Sequence, residues 1–245
     1  MMRELIQNEV LPRVQRPSRY LGTEYNAVHK PWEKAAVRMA FAFPDLYEIG
    51  MSHLGLAILY GLVNDYEDFL LERVFAPAPD MEEELRRRSL PLFSLESYRP
   101  LHHFDVVGFT LQYELTYTNV LNMLDLAGIP LPADARGEED PLVIGGGPGA
   151  FNPEPLAPFF DAFVLGDGEE VLPEILAIVK EAKTGNRGAG GRSRLRRREL
   201  LRRLAGLAGV YVPSFYRVHY FPDGRVAKVE PKEKGIPPRI VRRVV

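Results

Sequence analysis

The chain has 245 residues, of which 46% are hydrophobic and 26% are charged, with a formal net charge of −2, a composition typical of a soluble globular protein. This near-neutral balance gives no global attraction to nucleic acid or to an anionic membrane, and no apolar run approaches the ~18 residues that span a bilayer. Cysteine is absent, which excludes disulfides, thiolate nucleophiles and Cys-ligated zinc or iron–sulfur sites within the chain. The N-terminus lacks the apolar core of a secretory signal, so the default expectation is a cytoplasmic protein.

Short apolar strands alternate with helices over residues 35–183. The first predicted strand, Ala35–Phe43, is stopped by Pro44, and His53 opens a helix that runs to about Asn64. The further predicted strands are Phe69–Ala76, Phe104–Thr110, Leu142–Ile144 and Ala162–Leu165. The further predicted helices are Asp80–Arg88, Thr116–Ala127 and Glu169–Lys183. This alternation, with glycine at the turns, predicts a doubly wound, mostly parallel, Rossmann-like α/β sheet.

The composition predicts four segments along the chain. Residues 1–34 form an N-terminal arm, residues 35–183 the α/β domain, and residues 184–193 a Gly-rich flexible linker. Residues 194–245 contain an Arg-rich helix, a β-hairpin built from Val210–Tyr220 and Arg225–Val229, and a Pro-containing connector. The connector predicts that the chain leads into a further domain.

Two of the predicted strands end in glycine turns. Gly145–Gly147 follow the strand at Leu142, and Gly166–Glu169 follow the strand at Ala162. Ligands of open α/β sheets bind in the crevice beyond the carboxyl ends of the strands. We therefore expect these two turns to form the centre of a ligand site.

The first glycine turn also matches the G-x-G-x-x-A form of a dinucleotide fingerprint, which favours a nucleotide-dependent enzyme as a weaker alternative. That fingerprint needs an α-helix directly after it, because the helix N-terminus holds the pyrophosphate. Pro153, Pro155 and Pro158 follow instead, and each interior proline costs a helix ~3 kcal/mol.

A basic run provides a second alternative. Arg192–Arg203 contains seven arginines and one glutamate, so it could contact the phosphates of RNA, and a non-catalytic RNA- or ribonucleoprotein-binding module is the competing hypothesis. No aromatic residues interleave with the run, and a solvated helix face beside a flexible linker is the favoured explanation. The histidines show no metal-ligand spacing, so no metal site is predicted.

Several long sequence segments resemble the N-terminal half of a family of bacterial radical S-adenosylmethionine (radical SAM) proteins that carry a cobalamin-binding-like domain. Together these segments extend over most of the chain from Arg19 to Lys183. They are Phe43–Tyr60 (FPDLYEIGMSHLGLAILY), Glu72–Arg86, Pro91–Leu101, Asp105–Leu131 and the stretch Gly145–Glu170 that holds both glycine turns.

This resemblance implies an accessory domain that precedes a radical SAM barrel. In such a barrel a C-x-x-x-C-x-x-C loop holds the 4Fe–4S cluster that cleaves S-adenosylmethionine. Since this chain has no cysteine, it cannot hold that cluster, and the expectation is a fragment or a split gene product whose catalytic half lies elsewhere. The barrel is then the expected partner. The expected role of this domain is to bind cobalamin or to position the substrate of the barrel, and the chain is not expected to be catalytic alone.

The resemblance also implies a cobalamin site. Asp45, Tyr47 and Gly50 have the spacing of the Asp-x-His-x-x-Gly loop that supplies an axial His to cobalt, with Tyr47 at the His position. A cobalamin would therefore be bound without a protein His on cobalt; the alternative is that the family has kept the fold and lost the cofactor. The other residues that the resemblance assigns to the cofactor are Thr110, Leu111, Gln112, Gly145, Gly146, Gly147, Gly166, Asp167, Gly168 and Glu169.

Overall fold

A computed structural model describes residues 2–184 and 197–245. The predicted linker after Thr184 and the first residues of the Arg-rich run lie outside these described residues. Within the described part of the chain, no helix combines the length and the apolarity needed to cross a membrane.

The centre of the protein is a six-stranded sheet with the order β2-β1-β3-β4-β5-β6. The strands are β1 Val37–Phe43, β2 Phe69–Phe75, β3 Val106–Thr110, β4 Leu142–Gly146, β5 Ala162–Val164 and β6 Val210–Tyr211. The first five strands pair in parallel and β6 pairs antiparallel with β5. The predicted doubly wound, mostly parallel α/β fold is therefore confirmed.

The parallel strands are buried nearly end to end, which explains why their sequences are continuous apolar runs instead of alternating ones. The α-helices are α1 Met2–Leu5, α2 Tyr47–Met51, α3 Leu54–Asn64, α4 Pro79–Arg87, α5 Tyr117–Leu126, α6 Gly168–Thr184 and α7 Arg197–Leu204. Helix α3 packs against α6, and α4 packs against α5. Both helices of the first pair contribute to the site described below.

The C-terminal part differs from the predicted hairpin in one respect. The expected strand Val210–Tyr220 is broken, because Pro213 has no N–H to donate and begins a 3₁₀ turn, Pro213–Phe215. The residues before the break become β6 at the edge of the main sheet. The residues after it form β7, Tyr216–Tyr220, which pairs with β8, Val226–Pro231, in a separate antiparallel hairpin.

The N-terminal arm lies against the domain through buried contacts. A π-helical turn, Ile6–Val10, follows α1 and buries both of its end residues. Tyr98 donates a hydrogen bond of 2.7 Å to the carbonyl of Tyr20, and the Tyr20 hydroxyl accepts one of 3.0 Å from the N–H of Ala78. These bonds join residues far apart in sequence and hold the arm beside β2.

Candidate functional site

A cavity of about 390 Å³ lies at the carboxyl ends of β1, β3, β4 and β5, between the sheet and the helices α3 and α6. Its volume falls within the range of about 300–1,000 Å³ that is common for ligand pockets. Most of the residues predicted to bind a cofactor line it. These are Thr110, Gln112, Gly145, Gly146, Gly147, Gly166, Asp167, Gly168 and Glu169.

The floor of the cavity is apolar. Strand residues Met39, Phe41 and Ile144 contribute to it together with Leu59 of α3 and Leu172 of α6. Gly146 leaves the space above this floor open, because a Cβ built there has Val164 Cβ as its nearest neighbour at 3.8 Å. A larger side chain at position 146 would therefore occupy the cavity.

The turn after β3 and the glycine turn after β4 are tied to each other by backbone bonds. The N–H of Leu111 donates to the carbonyl of Gly146 at 2.7 Å, and the N–H of Gly149 donates to the carbonyl of Leu111 at 2.8 Å. Gln112 Nε2 donates to Thr110 Oγ1 at 2.6 Å, which orients both side chains at the cavity wall. Leu111 itself is fully buried and does not line the cavity.

The backbone after β4 does not provide a dinucleotide site. Gly147 has φ of +90°, and the chain continues as a 3₁₀ turn, Pro148–Phe151, and a second 3₁₀ turn, Ala157–Phe159. No α-helix lies between β4 and β5, a stretch that the structure describes throughout. A pyrophosphate would lack the helix N-terminus that such a site needs, so the nucleotide-dependent alternative loses its structural basis.

The second glycine turn is in contact with the C-terminal segment of the chain. Gly166 has φ of +112°, and a Cβ built on it would lie 1.9 Å from the carbonyl oxygen of Arg243. The N–H of Arg243 donates to Leu165 O at 2.8 Å, and the N–H of Asp167 donates to Arg243 O at 3.1 Å. Glycine is required here because the two backbones approach closely and φ is positive.

The acidic residues of this region also bind that segment. The Asp167 carboxylate accepts a bond of 3.1 Å from the N–H of Val245. The Arg243 guanidinium pairs with Glu170 and Glu174, both at 2.7 Å, and these bonds raise its pKa above the ordinary value. Part of the acidic turn thus holds the segment around Arg243 beside the cavity.

The loop that corresponds to Asp-x-His-x-x-Gly lies outside the cavity lining. The Tyr47 hydroxyl donates to Glu24 Oε1 at 2.7 Å, and Glu24 pairs with Arg73 at 2.8 Å. Burial, reinforced by the bond to Glu24, raises the pKa of Tyr47 to about 12, so the phenol stays protonated.

The other two positions of this loop also have contacts outside the cavity. Asp45 accepts a bond of 2.7 Å from Tyr113, and a Cβ on Gly50 would meet the Phe75 ring at 2.2 Å. These three positions shape the loop.

Arg73 connects this loop to a buried carboxylate. Its Nε lies 2.6 Å from Glu96 Oε1, and both side chains are almost completely buried. Burial raises the pKa of Glu96 to about 7 despite the opposing attraction of Arg73. The network of Tyr47, Glu24, Arg73 and Glu96 joins the N-terminal arm to β2.

His53 is a cavity residue that sequence reasoning did not assign to the site. Its position at the start of a helix is confirmed, since its Nδ1 accepts a bond of 3.1 Å from the N–H of Leu56 as the N-cap of α3. The structure adds that the ring lines the cavity. The sequence feature that could have identified it is its position between the carboxyl end of the first strand and the helix that follows, where ligand-contacting residues of α/β sheets lie.

The described arginines of α7 have acidic partners. Arg197 lies 2.9 Å from the buried carboxylate of Asp161, Arg198 and Arg202 both pair with Glu233, and Arg203 pairs with Glu181. Phosphate contacts would have to compete with these pairs, so the helix gives little support to the RNA-binding alternative. Within residues 2–184 and 197–245, no group of three or more His, Cys, Asp or Glu side chains is arranged to hold a metal ion.

Comparison with known proteins identifies the family. Residues 55–213 match the family described as "Radical SAM proteins, N-terminal". The chain is 24% identical over 147 residues to the "Uncharacterized protein MJ0966" of Methanocaldococcus jannaschii, an alignment that covers 58% of this chain and 27% of the relative. The chain thus spans about a quarter of that protein's length. No solved structure matches the chain. Because the family match covers most of the sheet and its helices, the chain belongs to the family of radical SAM N-terminal domains and is an accessory domain of that protein class.

Proposed function

We propose that this accessory domain holds part of a cobalamin at the carboxyl edge of its sheet and presents it to a radical SAM catalytic domain. The observation that carries the proposal is the cavity itself, which brings together both glycine turns and the Thr110–Gln112 turn. Its mixture of an apolar floor and polar walls suits a ligand group that has an aromatic or aliphatic body and a few hydrogen-bonding atoms.

The residues present fit one portion of the cofactor. A cavity of about 390 Å³ would accommodate an uncharged group of the cofactor, such as the base of the nucleotide tail or a carboxamide side chain, and the macrocycle would remain outside it. Gly146 leaves room for the tail, Thr110 and Gln112 provide polar atoms at the wall, and Gly147 allows the backbone to approach closely. Tyr47 is hydrogen-bonded to Glu24 and so supplies no ligand to cobalt. Cobalamin, when bound, supplies radical chemistry, and the protein supplies binding and orientation.

The catalytic partner in this proposal is a radical SAM barrel, because the chain has no cysteine to hold an iron–sulfur cluster. Exposed apolar residues flank the cavity-lining residues in sequence and provide a surface for that partner. Leu54 is 72% exposed, Leu115 85% and Phe151 53%. We propose that these three side chains, each within three residues in sequence of a cavity-lining residue, contact that partner. The barrel would then cover the open side of the cavity.

A titration with hydroxocobalamin, followed by visible absorbance, tests the cofactor part. Saturable binding with one site per chain is expected for the wild type. Gly146→Trp fills the cavity and is expected to abolish binding, whereas Gly224→Trp, on the open hairpin turn, is expected to leave it unchanged. Absence of saturable binding by the correctly folded wild-type chain would contradict the proposal.

A further inference from the structure

His53 is held in a defined orientation at the wall of the cavity. It is half-buried, and its ring lies 5.3 Å from the Phe43 ring between centroids. Gly55 leaves the free edge of the ring uncovered, since a Cβ there would lie 3.0 Å from His53 Cε1. The packing thus fixes the ring, and the glycine leaves space beside its Cε1 and Nε2 atoms.

The cap of α3 determines which nitrogen of His53 carries the proton. Nδ1 accepts the Leu56 N–H at 3.1 Å and must therefore present a lone pair. A neutral imidazole has one donor and one acceptor nitrogen, so its proton is on Nε2. Within the described residues no hydrogen bond to Nε2 is formed, and Nε2–H remains available as a donor in the cavity wall.

We propose that His53 Nε2–H donates a hydrogen bond to an uncharged acceptor of the bound ligand, such as a carboxamide or hydroxyl oxygen. The inference rests on the proposed function and adds a recognition residue to it. The charged residues that line the cavity are Asp167 and Glu169, and no Lys or Arg lines it within the described chain. The carboxylates of Asp167 and Glu169 would repel an anionic phosphate. The acceptor that His53 Nε2–H binds is therefore an uncharged group.

The same geometry makes His53 a hydrogen-bond donor and not a cobalt ligand. Coordination through Nε2 requires a lone pair on that nitrogen, which would move the proton of the neutral ring to Nδ1. A protonated Nδ1 would then face the N–H of Leu56, and the cap of α3 would be lost. Metal ligation by His53 is therefore incompatible with the start of the helix.

The variant His53→Asn separates recognition from capping. Asparagine is among the best N-cap residues, so the variant keeps the bond to Leu56 but has no nitrogen at the position of Nε2. We expect hydroxocobalamin to bind about 2- to 10-fold more weakly, the loss typical of one hydrogen bond, with an unchanged midpoint of thermal unfolding. Ser52→Ala, at the preceding position in the chain and outside the cavity lining, is the matched control and is expected to bind normally.

The tautomer is measured independently by ¹⁵N–¹H correlation spectra of the histidine rings. The expected pattern is a proton on Nε2 of His53, with a shift of this signal on addition of hydroxocobalamin. Equal affinity of the wild type and His53→Asn, or a proton on Nδ1, would overturn the inference and leave the cobalamin proposal intact. Absence of binding by the wild type would overturn the cobalamin proposal and this inference together.

Discussion

The Tyr47 hydroxyl donates a 2.7 Å hydrogen bond to Glu24, and so the residue at the axial-histidine position of the loop is engaged with the N-terminal arm instead of the cavity. Glu24 also forms an ion pair with Arg73, and Arg73 forms a second ion pair with Glu96. The loop after β1 therefore has a structural role that accounts for a tyrosine at this position.

Removal of this hydroxyl tests that role. Tyr47→Phe is expected to lower the free energy of unfolding by ~1 kcal/mol, because one partly buried hydrogen bond is lost. Affinity for hydroxocobalamin is expected to remain unchanged. Urea denaturation measures the first effect, and Tyr25→Phe, at a fully exposed tyrosine, is the control. A large loss of affinity with intact stability would place Tyr47 in the ligand site and contradict its structural role.

The buried carboxylate Glu96 predicts a pH-dependent stability. Its pKa rises from 4.5 to about 7 on folding, because burial disfavours the charged form. The folded protein therefore binds more protons at this group than the unfolded chain does, and the contribution of Glu96 to stability is present below pH 4.5 and lost as pH rises toward 7.

Glu96→Gln removes this dependence. We expect the difference in unfolding free energy between the wild type and the variant to move in favour of the variant from pH 4.5 to pH 7, by at most ~1.4 kcal/mol per pH unit. Chemical denaturation at several pH values measures it, with Glu83→Gln at an exposed position as the control. If the difference in unfolding free energy does not change with pH, the pKa of Glu96 is the same in the folded and unfolded states, and the prediction is wrong.

Asp161 neutralises two arginines at the amino end of β5. Its Oδ2 lies 2.9 Å from Arg197 Nη2 and 3.2 Å from Arg136 Nε, and it also accepts the N–H of Val143 at 2.8 Å. Asp161→Asn is expected to lower the free energy of unfolding by ~3–5 kcal/mol, since the buried guanidinium of Arg136 and the partly buried one of Arg197 would lose their counter-charge. Thermal unfolding against the exposed control Asp134→Asn measures it, and similar midpoints would refute the prediction.

The close approach at Gly166 predicts that a single methyl group releases the C-terminal segment. Gly166→Ala would place Cβ 1.9 Å from Arg243 O, so the bonds of Arg243 to Leu165 and Asp167 are expected to open. Hydrogen exchange at the Arg243 and Asp167 amides should become faster by at least about tenfold, the equivalent of ~1.4 kcal/mol. Gly224→Ala is the matched control, because its φ is also positive but no atom lies within 4 Å. Equal exchange rates in both variants would show that the segment is not held at Gly166.

The proposed contact between the exposed apolar residues and a radical SAM domain gives a prediction about Leu115. Leu115→Glu introduces a charge on the side chain that is 85% exposed, and it is expected to weaken binding to a separately produced radical SAM domain at least tenfold without changing stability. Analytical ultracentrifugation or calorimetry measures the binding. Tyr25→Glu, exposed on the N-terminal arm, should have no effect, and equal binding by Leu115→Glu would place the interface elsewhere.

Local sequence patterns were sufficient for the five parallel strands of the sheet and for most of the cavity wall. The apolar runs at Ala35–Phe43 and Leu142–Ile144 predict buried parallel strands, and the observed strands β1 and β4 are buried at all but one position each. Glycine directly after such strands then predicts the carboxyl-edge turns, and Gly146 and Gly166 do line the cavity. These features depend on neighbours within a few residues, so the sequence by itself determines them.

Contacts between distant segments were decided only by the tertiary structure. The bond between Tyr47 and Glu24, the approach of Arg243 to Gly166 and the entry of the His53 ring into the cavity wall depend on how the chain returns to the sheet. The division of Val210–Tyr220 into two strands also depends on the tertiary structure. Only Val210–Tyr211 pair with β5, and Pro213 then interrupts the strand. Local propensity describes which residues form a strand or a helix, whereas the partner of each side chain is set by packing across the whole domain.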